Sequence, residues 1–314
     1  MNTPRPDLSV VVPVYNSEGS LRTLAARLEP VLREHAREFE LILVNDGSRD
    51  GSWSVVQELA QQHPWIRGLD LMRNYGQHNA LLCGLRVARF DLVLTMDDDL
   101  QHPPEEVPKL LKEFARGFDV VYGTPAQEPH GFLRGLASRM TKLALQKSMG
   151  ADTARQVSAL RLIRRDLRAA FADYKGQYVS IDVLLTWATT RFSAVVVRHE
   201  PRTIGTSNYT MSMLMTHALN MVTGFSVAPL RVASGIGFVF TIFGLGALAW
   251  VLQLKLLHGS PVQGFTFLAS LVAILSGAQL FALGIIGEYL ARMHFRMMDR
   301  PTYTVRAVAD ADGA

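Results

Sequence analysis

Leu92-Val93-Leu94-Thr95-Met96-Asp97-Asp98-Asp99-Leu100-Gln101-His102-Pro103-Pro104-Glu105 is the stretch whose reading decides the fold. The apolar run Leu92 to Met96 reads as a buried strand, and the prolines cannot continue one, so the acidic triplet stands at a strand's end. Like charges this close repel, and a fold keeps them together where a cation or cationic ligand is expected. In an extended backbone Asp97 and Asp99 point to one side, followed by the amide of Gln101, and Asp98 points to the other. Hard oxygen donors of this kind suit Mg²⁺ or Mn²⁺ already carrying diphosphate oxygens. A solvated acidic turn is the alternative that these residues alone leave open.

The segments around the triplet alternate in type. Leu8 to Val14 and Phe39 to Asn45 are strand-like runs, and between them Leu21, Leu24, Leu28, Val31 and Leu32 recur at helical spacing. A third strand is expected over Ile66 to Leu71, a helix from about Gly76 to Ala88, and a helix from Glu105 to Arg116. Further strands are expected over Phe118 to Tyr122, Val157 to Ile163 and Phe192 to Arg198. Strands alternating with helices predict an α/β fold with a mostly parallel sheet covered on both faces. Ligands of such sheets bind at the carboxyl ends of the strands, where Tyr15-Asn16, Asn45-Asp46 and Asp97 to Gln101 all fall. Neither a P-loop nor a GxGxxG pattern is present, so a phosphate would be held by a metal or by basic side chains.

Hydrophobic residues make up 48% of the 314 residues, and the mean hydropathy is +0.13. The apolar excess collects after Arg231, where Val232 to Leu254 and Gly264 to Gly287 are each long enough to span a bilayer. Arg231 precedes the first run and Arg292, Arg296 and Arg300 follow the second, which places both ends of this hairpin on the cytoplasmic side. No secretory signal is visible in the polar N-terminus Met1 to Asp7, so the large N-terminal domain is expected in the cytosol as well. The single cysteine, Cys83, excludes an intramolecular disulfide and a cysteine-based metal site. A formal net charge of +4 is too mild to indicate nucleic acid binding.

Arg134, Arg139, Lys142 and Lys147 lie among apolar residues in a helical pattern between Pro125 and Gly150, which reads either as a solvated face or as contact with an anionic acceptor or lipid headgroups. Pro201 to Tyr209 is a polar loop, and the pattern from Met211 to Phe225 is an amphipathic helix suited to the membrane interface or to packing on the soluble domain. Val308 to Ala314 reads as a frayed tail. Gly235, Gly237, Gly244, Gly246 and Ala247 permit close helix packing, including between copies of the chain in a homo-oligomer.

Several motifs together resemble one known family. They are Val12-Pro13-Val14-Tyr15-Asn16, Val44 to Ser52, Arg73-Asn74-Tyr75-Gly76-Gln77 and Met96 to Glu105. The likeness runs on through Arg202 to Tyr209 and Leu283 to Arg292. The set is similar to the inverting family 2 glycosyltransferases of the GT-A (Rossmann-like) fold. Within them it resembles the polyprenyl-phosphate glycosyltransferases, the group of dolichol-phosphate mannose synthase, and most of all the bacterial undecaprenyl-phosphate 4-deoxy-4-formamido-L-arabinose transferases.

The resemblance implies a GT-A domain over residues 1–207 and an amphipathic juxtamembrane helix over 208–230. A transmembrane hairpin over 231–292 (spans about 232–254 and 264–287) and a cytoplasmic tail over 293–314 would follow. It implies that Pro13, Tyr15 and Asp46 hold base and ribose, with Asn16, Glu18, Gly76, Gln77, Asp97 and Asp98 also on the nucleotide side. Ser17 stands where many relatives have Glu, and Glu18 comes next. Asp97, Asp99 and Gln101 would hold Mn²⁺ or Mg²⁺, with Asp99 and Arg202 as the catalytic pair. Arg134, Arg161 and Ser207 would meet the acceptor phosphate. Just before the strand at Arg161 to Leu162, where many relatives carry a proposed base, the nearest acid is Asp152. A lipid phosphate with a second pKa near 6 is already largely dianionic at neutral pH and needs no base.

The implied activity is transfer of one sugar from a nucleotide sugar, UDP-linked by preference, to polyprenyl phosphate at the cytoplasmic face of a bacterial inner membrane. A processive polysaccharide synthase is the second enzyme reading, and it would carry a Gln/Arg/Trp motif and more spans than this chain has. A non-catalytic membrane scaffold is the third, and it would have no need of Asp46, Asp97 and Asp99 together.

Overall fold

The structure, a computed structural model, describes residues 5–125, 157–176, 179–201, 228–258 and 265–311. These form two compact units, one comprising the residues up to 201 together with 300–311 and the other comprising 228–299. The expected amphipathic helix over 208–230 falls almost wholly outside the described residues, as do Arg134, Arg202 and Ser207.

In the first unit, β1 (Leu8–Val14), β2 (Phe39–Asn45), β3 (Ile66–Leu71) and β4 (Leu92–Thr95) form the parallel centre of an eight-stranded sheet. They are joined by α1 (Leu21–His35), α2 (Ser52–Gln62) and α3 (Gln77–Val87). After β4 come a short 3-10 turn, α4 (Val107–Phe114), β5 (Val120–Pro125), β6 (Arg161–Arg164), α5 (Ile181–Ala188) and β7 (Phe192–Val197). The sheet order is β7-β5-β6-β4-β1-β2-β3, closed at its last edge by β8 (Val305–Ala309). Leu8 pairs with Phe39 on one side and with Leu92 on the other, so β1 is central and every one of its residues is buried. Burial on both faces explains the unbroken apolar run of this strand. α1 buries Leu21, Leu24, Ala25, Leu28 and Leu32, a single 3.6-residue stripe, against the sheet.

β6 runs antiparallel to both β4 and β5. β8 is antiparallel to β3, with Leu69 opposite Val308 and Leu71 opposite Val305. The expectation of a frayed tail is therefore corrected for its first residues, because Val308 and Ala309 are paired into the sheet. The open edge of β3 supplies hydrogen-bond partners that five residues of modest apolarity would not recruit alone.

In the second unit, α6 (Ala228–His258) and α7 (Phe265–Met297) pack on each other, and Pro229–Trp250 and Ile274–Phe295 are each long and apolar enough to cross a membrane. Their apolar side chains face outward: Phe238 is 66% exposed and Leu280 69%. A soluble core helix would bury that surface, so these two helices are candidate membrane spans.

Candidate active site

The site forms where β4, β1 and β2, adjacent in the sheet, release their chains at carboxyl ends about 4.8 Å apart per strand. Pro13 is buried within β1, opposite Val44, and Tyr15 and Asn16 emerge just beyond it. Asn16 adopts a left-handed backbone conformation (φ 54°), which Asn tolerates better than most residues. Its backbone N–H donates to Ser48 Oγ at 3.0 Å, and its side-chain oxygen accepts from the Arg49 N–H at 2.8 Å. These bonds tie the loop after β1 to the loop after β2.

Asp46, buried at the end of β2, accepts from the backbone N–H groups of Tyr75 at 2.7 Å and Gly76 at 2.8 Å. Desolvation raises its pKa, with those two donors and Arg73 opposing the rise. The loop Arg73 to Gly76 is thereby folded onto the end of β2. Gly47 sits in the same contact at φ 65°, and a Cβ there would lie 2.6 Å from the backbone of Arg73 and Asn74. Only glycine satisfies both the conformation and the close approach.

Asp97, Asp98 and Asp99 do not continue β4 as an extended strand, which ends at Thr95; Leu100 takes φ 61° and turns the chain. The three carboxylates lie past the strand and each has a different hydrogen-bond partner. Asp97 Oδ1 accepts from Gln77 Nε2 at 2.6 Å, at the first residue of α3. Asp98 faces the loop after β1, accepting from the Tyr15 N–H at 3.4 Å, and desolvation pushes its pKa up to about 6. Asp99 Oδ1 accepts from the Gln101 N–H at 3.1 Å. The loop as a whole is bound to its neighbours through main chain and side chain alike.

Glu18 turns to the start of α2, accepting from the Gly51 N–H at 3.0 Å, where a carboxylate meets the positive end of the helix. The hydroxyl of Ser52 accepts from the Ser17 N–H at 2.8 Å. Arg161 lies on β6, its side chain 4% exposed, 3.3 Å from Asp182, and Tyr122 donates to the same carboxylate at 3.0 Å. The spacing of Arg161 and Asp182 in sequence carries no sign of this pairing, which exists only because α5 packs behind the sheet.

On the far side of the acidic loop, the Glu200 N–H donates to Gln101 O at 2.8 Å. Arg198 donates from its backbone N–H and from Nε to the buried carboxylate of Glu106, at 3.1 and 2.8 Å. Arg27 bridges Glu105 at 2.8 Å and Glu200 at 3.5 Å. The segment that leads to Arg202 is thus fastened to the loop that follows the acidic triplet. His102 is buried edge-on to His199, ring centroids 5.2 Å apart, and desolvation lowers its pKa to about 4, so it stays neutral near pH 7. None of Glu106, Arg198, Arg27 and Glu200 stood out in the sequence, where each reads as one surface charge among many.

Among the described residues no cluster of three or more His, Cys, Asp or Glu is assembled for a metal. Asp97 and Asp99 offer two hard carboxylates, which fits Mg²⁺ or Mn²⁺ held by few protein ligands and completed by diphosphate oxygens and water.

Comparison with known proteins places these features in context. Residues 9–170 match the model of the family described as glycosyl transferase family 2. The undecaprenyl-phosphate 4-deoxy-4-formamido-L-arabinose transferase of Pseudomonas aeruginosa (strain LESB58) is 36% identical over 307 residues, covering 97% of this chain and 91% of the relative. The protein of the same name from Photorhabdus laumondii is 33% identical, covering 96% of this chain and 94% of the relative. Among solved structures, glucosyl-3-phosphoglycerate synthase from Mycobacterium tuberculosis, in complex with Mn²⁺, UDP-glucose and phosphoglyceric acid, matches at TM-score 0.52 and 20% identity. That likeness covers 69% of this chain and 78% of the other. Mannosyl-3-phosphoglycerate synthase from Rubrobacter xylanophilus matches at TM-score 0.52 and 18% identity, over 69% of this chain and 73% of the other. These two likenesses bear on the fold, a mostly parallel Rossmann-like sheet of the GT-A kind.

Proposed function

Because this chain belongs to glycosyl transferase family 2 and is a glycosyltransferase with two candidate membrane helices, we propose that it transfers one sugar from a nucleotide sugar to polyprenyl phosphate. The observation that carries the reading is the meeting of Asp46, after β2, and Asp97, after β4, at strand ends flanking β1, joined through the Tyr75 to Gln77 segment, with Asp99 two residues beyond Asp97. Full-length likeness to undecaprenyl-phosphate transferases supports the lipid acceptor.

In this reading the loops after β1 and β2 take base and ribose, through Tyr15, Asn16 and Asp46. Asp97 and Asp99 hold Mn²⁺ or Mg²⁺, with Gln101 beside them. When bound, the ion supplies Lewis-acid stabilisation of the departing diphosphate. The chain's own part is alignment: Gln77 orients Asp97, the Gln101 N–H orients Asp99, and the Arg198 to Glu200 segment is anchored to the loop after the acidic triplet. A lipid phosphate oxygen attacks the anomeric carbon from the face opposite the leaving group. The new C–O bond forms as the bond to the nucleotide diphosphate breaks, and the diphosphate departs with the electron pair, inverting the centre. The nucleophile is already deprotonated, so no proton has to be taken up in this step.

The membrane placement belongs to the same proposal. α6 and α7 form a hairpin, and β8, eight residues beyond α7, lies in the sheet of the unit whose chain precedes α6. Arg231 near the start of α6 and Arg292, Arg296 and Arg300 at and after the end of α7 support a cytoplasmic side for both ends of the hairpin, in a bacterial inner membrane.

The test is an assay of the full-length protein in detergent with undecaprenyl phosphate, Mn²⁺ and a panel of UDP- and GDP-sugars. The UDP derivative of the sugar in the relatives' name heads the panel. The expected product is a lipid bearing a single sugar. A long polymer would transfer the case to a processive synthase, and no turnover combined with no nucleotide binding would remove the enzyme reading.

A further inference from the structure

The ten residues that follow the second membrane helix grip the donor-side loop at both ends of the β3–α3 unit. At the loop's start the Met72 N–H donates to Thr304 O at 2.9 Å, and Met72 O accepts from Arg306 Nη2 at 2.6 Å. Both backbone groups of Met72 are thus held by the C-terminal segment. Arg306 also pairs with Asp70 at 3.4 Å, a carboxylate only 4% exposed. Asp70 in turn accepts from Asn45 Nδ2 at 2.7 Å, and Asn45 Oδ1 accepts from the Ser48 N–H at 3.4 Å. At the far end of α3, Arg86 reaches Thr302 Oγ1 at 3.4 Å and lies over the Tyr303 ring at 5.5 Å.

The unit held in this way carries Tyr75 and Gly76, which bind Asp46, and Gln77, which binds Asp97. We propose that Arg306 is a positioning residue for the nucleotide site, holding the Met72 to Gly76 loop through Met72 O and the end of β2 through Asp70 and Asn45. The inference rests on the reading of Asp46 as part of the nucleotide site. It adds a function to a segment that otherwise only ends the chain: the strand emerging from the membrane hairpin braces the donor pocket. A guanidinium can serve a carboxylate and a carbonyl at once from its fixed fork, which a single ammonium does less well.

The experiment measures UDP affinity by calorimetry, with Mn²⁺ present, on the full-length protein in detergent. Wild type, Arg306→Ala, Arg306→Lys and the control Val305→Ala are compared, each with a thermal melt and steady-state transfer kinetics. The control weakens β8 while leaving both Arg306 contacts in place. Loss of one charge-assisted bond in the loop is expected to weaken UDP binding roughly tenfold in Arg306→Ala. The donor KM should rise in step, kcat should stay within about twofold at saturating donor, and Arg306→Lys should recover part of the affinity. Unchanged UDP affinity in a folded Arg306→Ala protein overturns the proposal. So does an equal loss of affinity in Val305→Ala at a matched melting temperature, since the effect would then be general destabilisation. If Arg306→Ala does not accumulate, Arg306→Gln carries the same comparison. Failure of the wild type to bind UDP or GDP would instead remove the nucleotide reading itself, and the proposal with it.

Discussion

Gly47→Ala tests the contact on which the donor side depends. A Cβ at this position would stand 2.6 Å from Arg73 C and Asn74 N, about 0.8 Å inside ordinary van der Waals contact, and both neighbours are backbone atoms. The left-handed conformation at φ 65° adds about 1 kcal/mol for any residue with a Cβ. Relief of the overlap has to move the Arg73 to Gly76 loop away from β2. A shift of that size would stretch the bonds from Tyr75 and Gly76 to Asp46, now 2.7 and 2.8 Å, to the limit of hydrogen bonding. Loss of one such bond to a buried carboxylate costs about 1.5–3 kcal/mol. The total is about 2.5–4 kcal/mol, which for a unit of this size lowers Tm by roughly 5–16 °C. The assay pairs a thermal melt with UDP binding below the melting range, where at least a tenfold loss of affinity is expected. A fall of only about 2–4 °C, the share of the backbone conformation alone, with unchanged affinity would show that the two loops are not mechanically joined. The coupling argument would then fail.

Asp99→Ala should lower transfer by a hundredfold or more, of the order seen when one group stabilising a transition state is removed, with Tm essentially unchanged because the side chain is only half-buried; retained activity would refute the metal assignment. Cys83 is buried and its thiol is pushed up to about 12 by desolvation, so a thiol reagent at pH 8 should label it only after unfolding. Since the folded pKa lies above the unfolded value, the linked stability is complete below about pH 9 and falls as pH rises towards 12; rapid labelling of the native protein would contradict the burial. Arg161→Met should cost about 3–5 kcal/mol by leaving Asp182 charged and unpaired in the interior, and Arg161→Met with Asp182→Leu should recover most of it in a denaturant titration. A single variant as stable as wild type would show that the pair is not structural.

The sheet's centre was legible because β1, β2 and β3 are largely buried, which makes them short, mostly apolar runs between turn-forming clusters, and the expected bounds of all three agree with the structure. The edges were less so. Val305 to Ala309 alternates small apolar residues around Arg306, and it becomes a strand only because β3 offers an unpaired edge. The strand expected over Phe118 to Tyr122 begins at Val120 and runs to Pro125, on a register set by β7. Within the site, the meeting of Tyr15, Asp46 and Asp97 at strand ends followed from topology. The partners of the triplet did not, because strand parity says nothing of what lies past the strand's end at Thr95, where Gln77, Tyr15 and the Gln101 N–H each meet one carboxylate. Arg161 with Asp182, and Arg198 with Glu106, are partners across the fold that no local pattern announces.

These partnerships bear on how charge is divided between the two ends of the reaction. Arg161, read from the sequence as a contact for the acceptor phosphate, is 4% exposed and also donates from Nε to Ser158 O at 3.1 Å. To hold a lipid phosphate it would have to leave Asp182, and an unpaired carboxylate buried there costs several kcal/mol. A phosphate dianion repays such a cost only if the whole guanidinium is delivered to it. Other cations proposed for that task are Arg202 and the basic run from Arg134 to Lys147, which lie outside the described residues. The donor end is arranged differently: its carboxylates are held by main-chain donors and Gln77 before any substrate arrives. Donor binding should therefore survive neutral substitutions in the basic run, and acceptor KM should rise. Kinetics with the two substrates varied separately would reveal any other division.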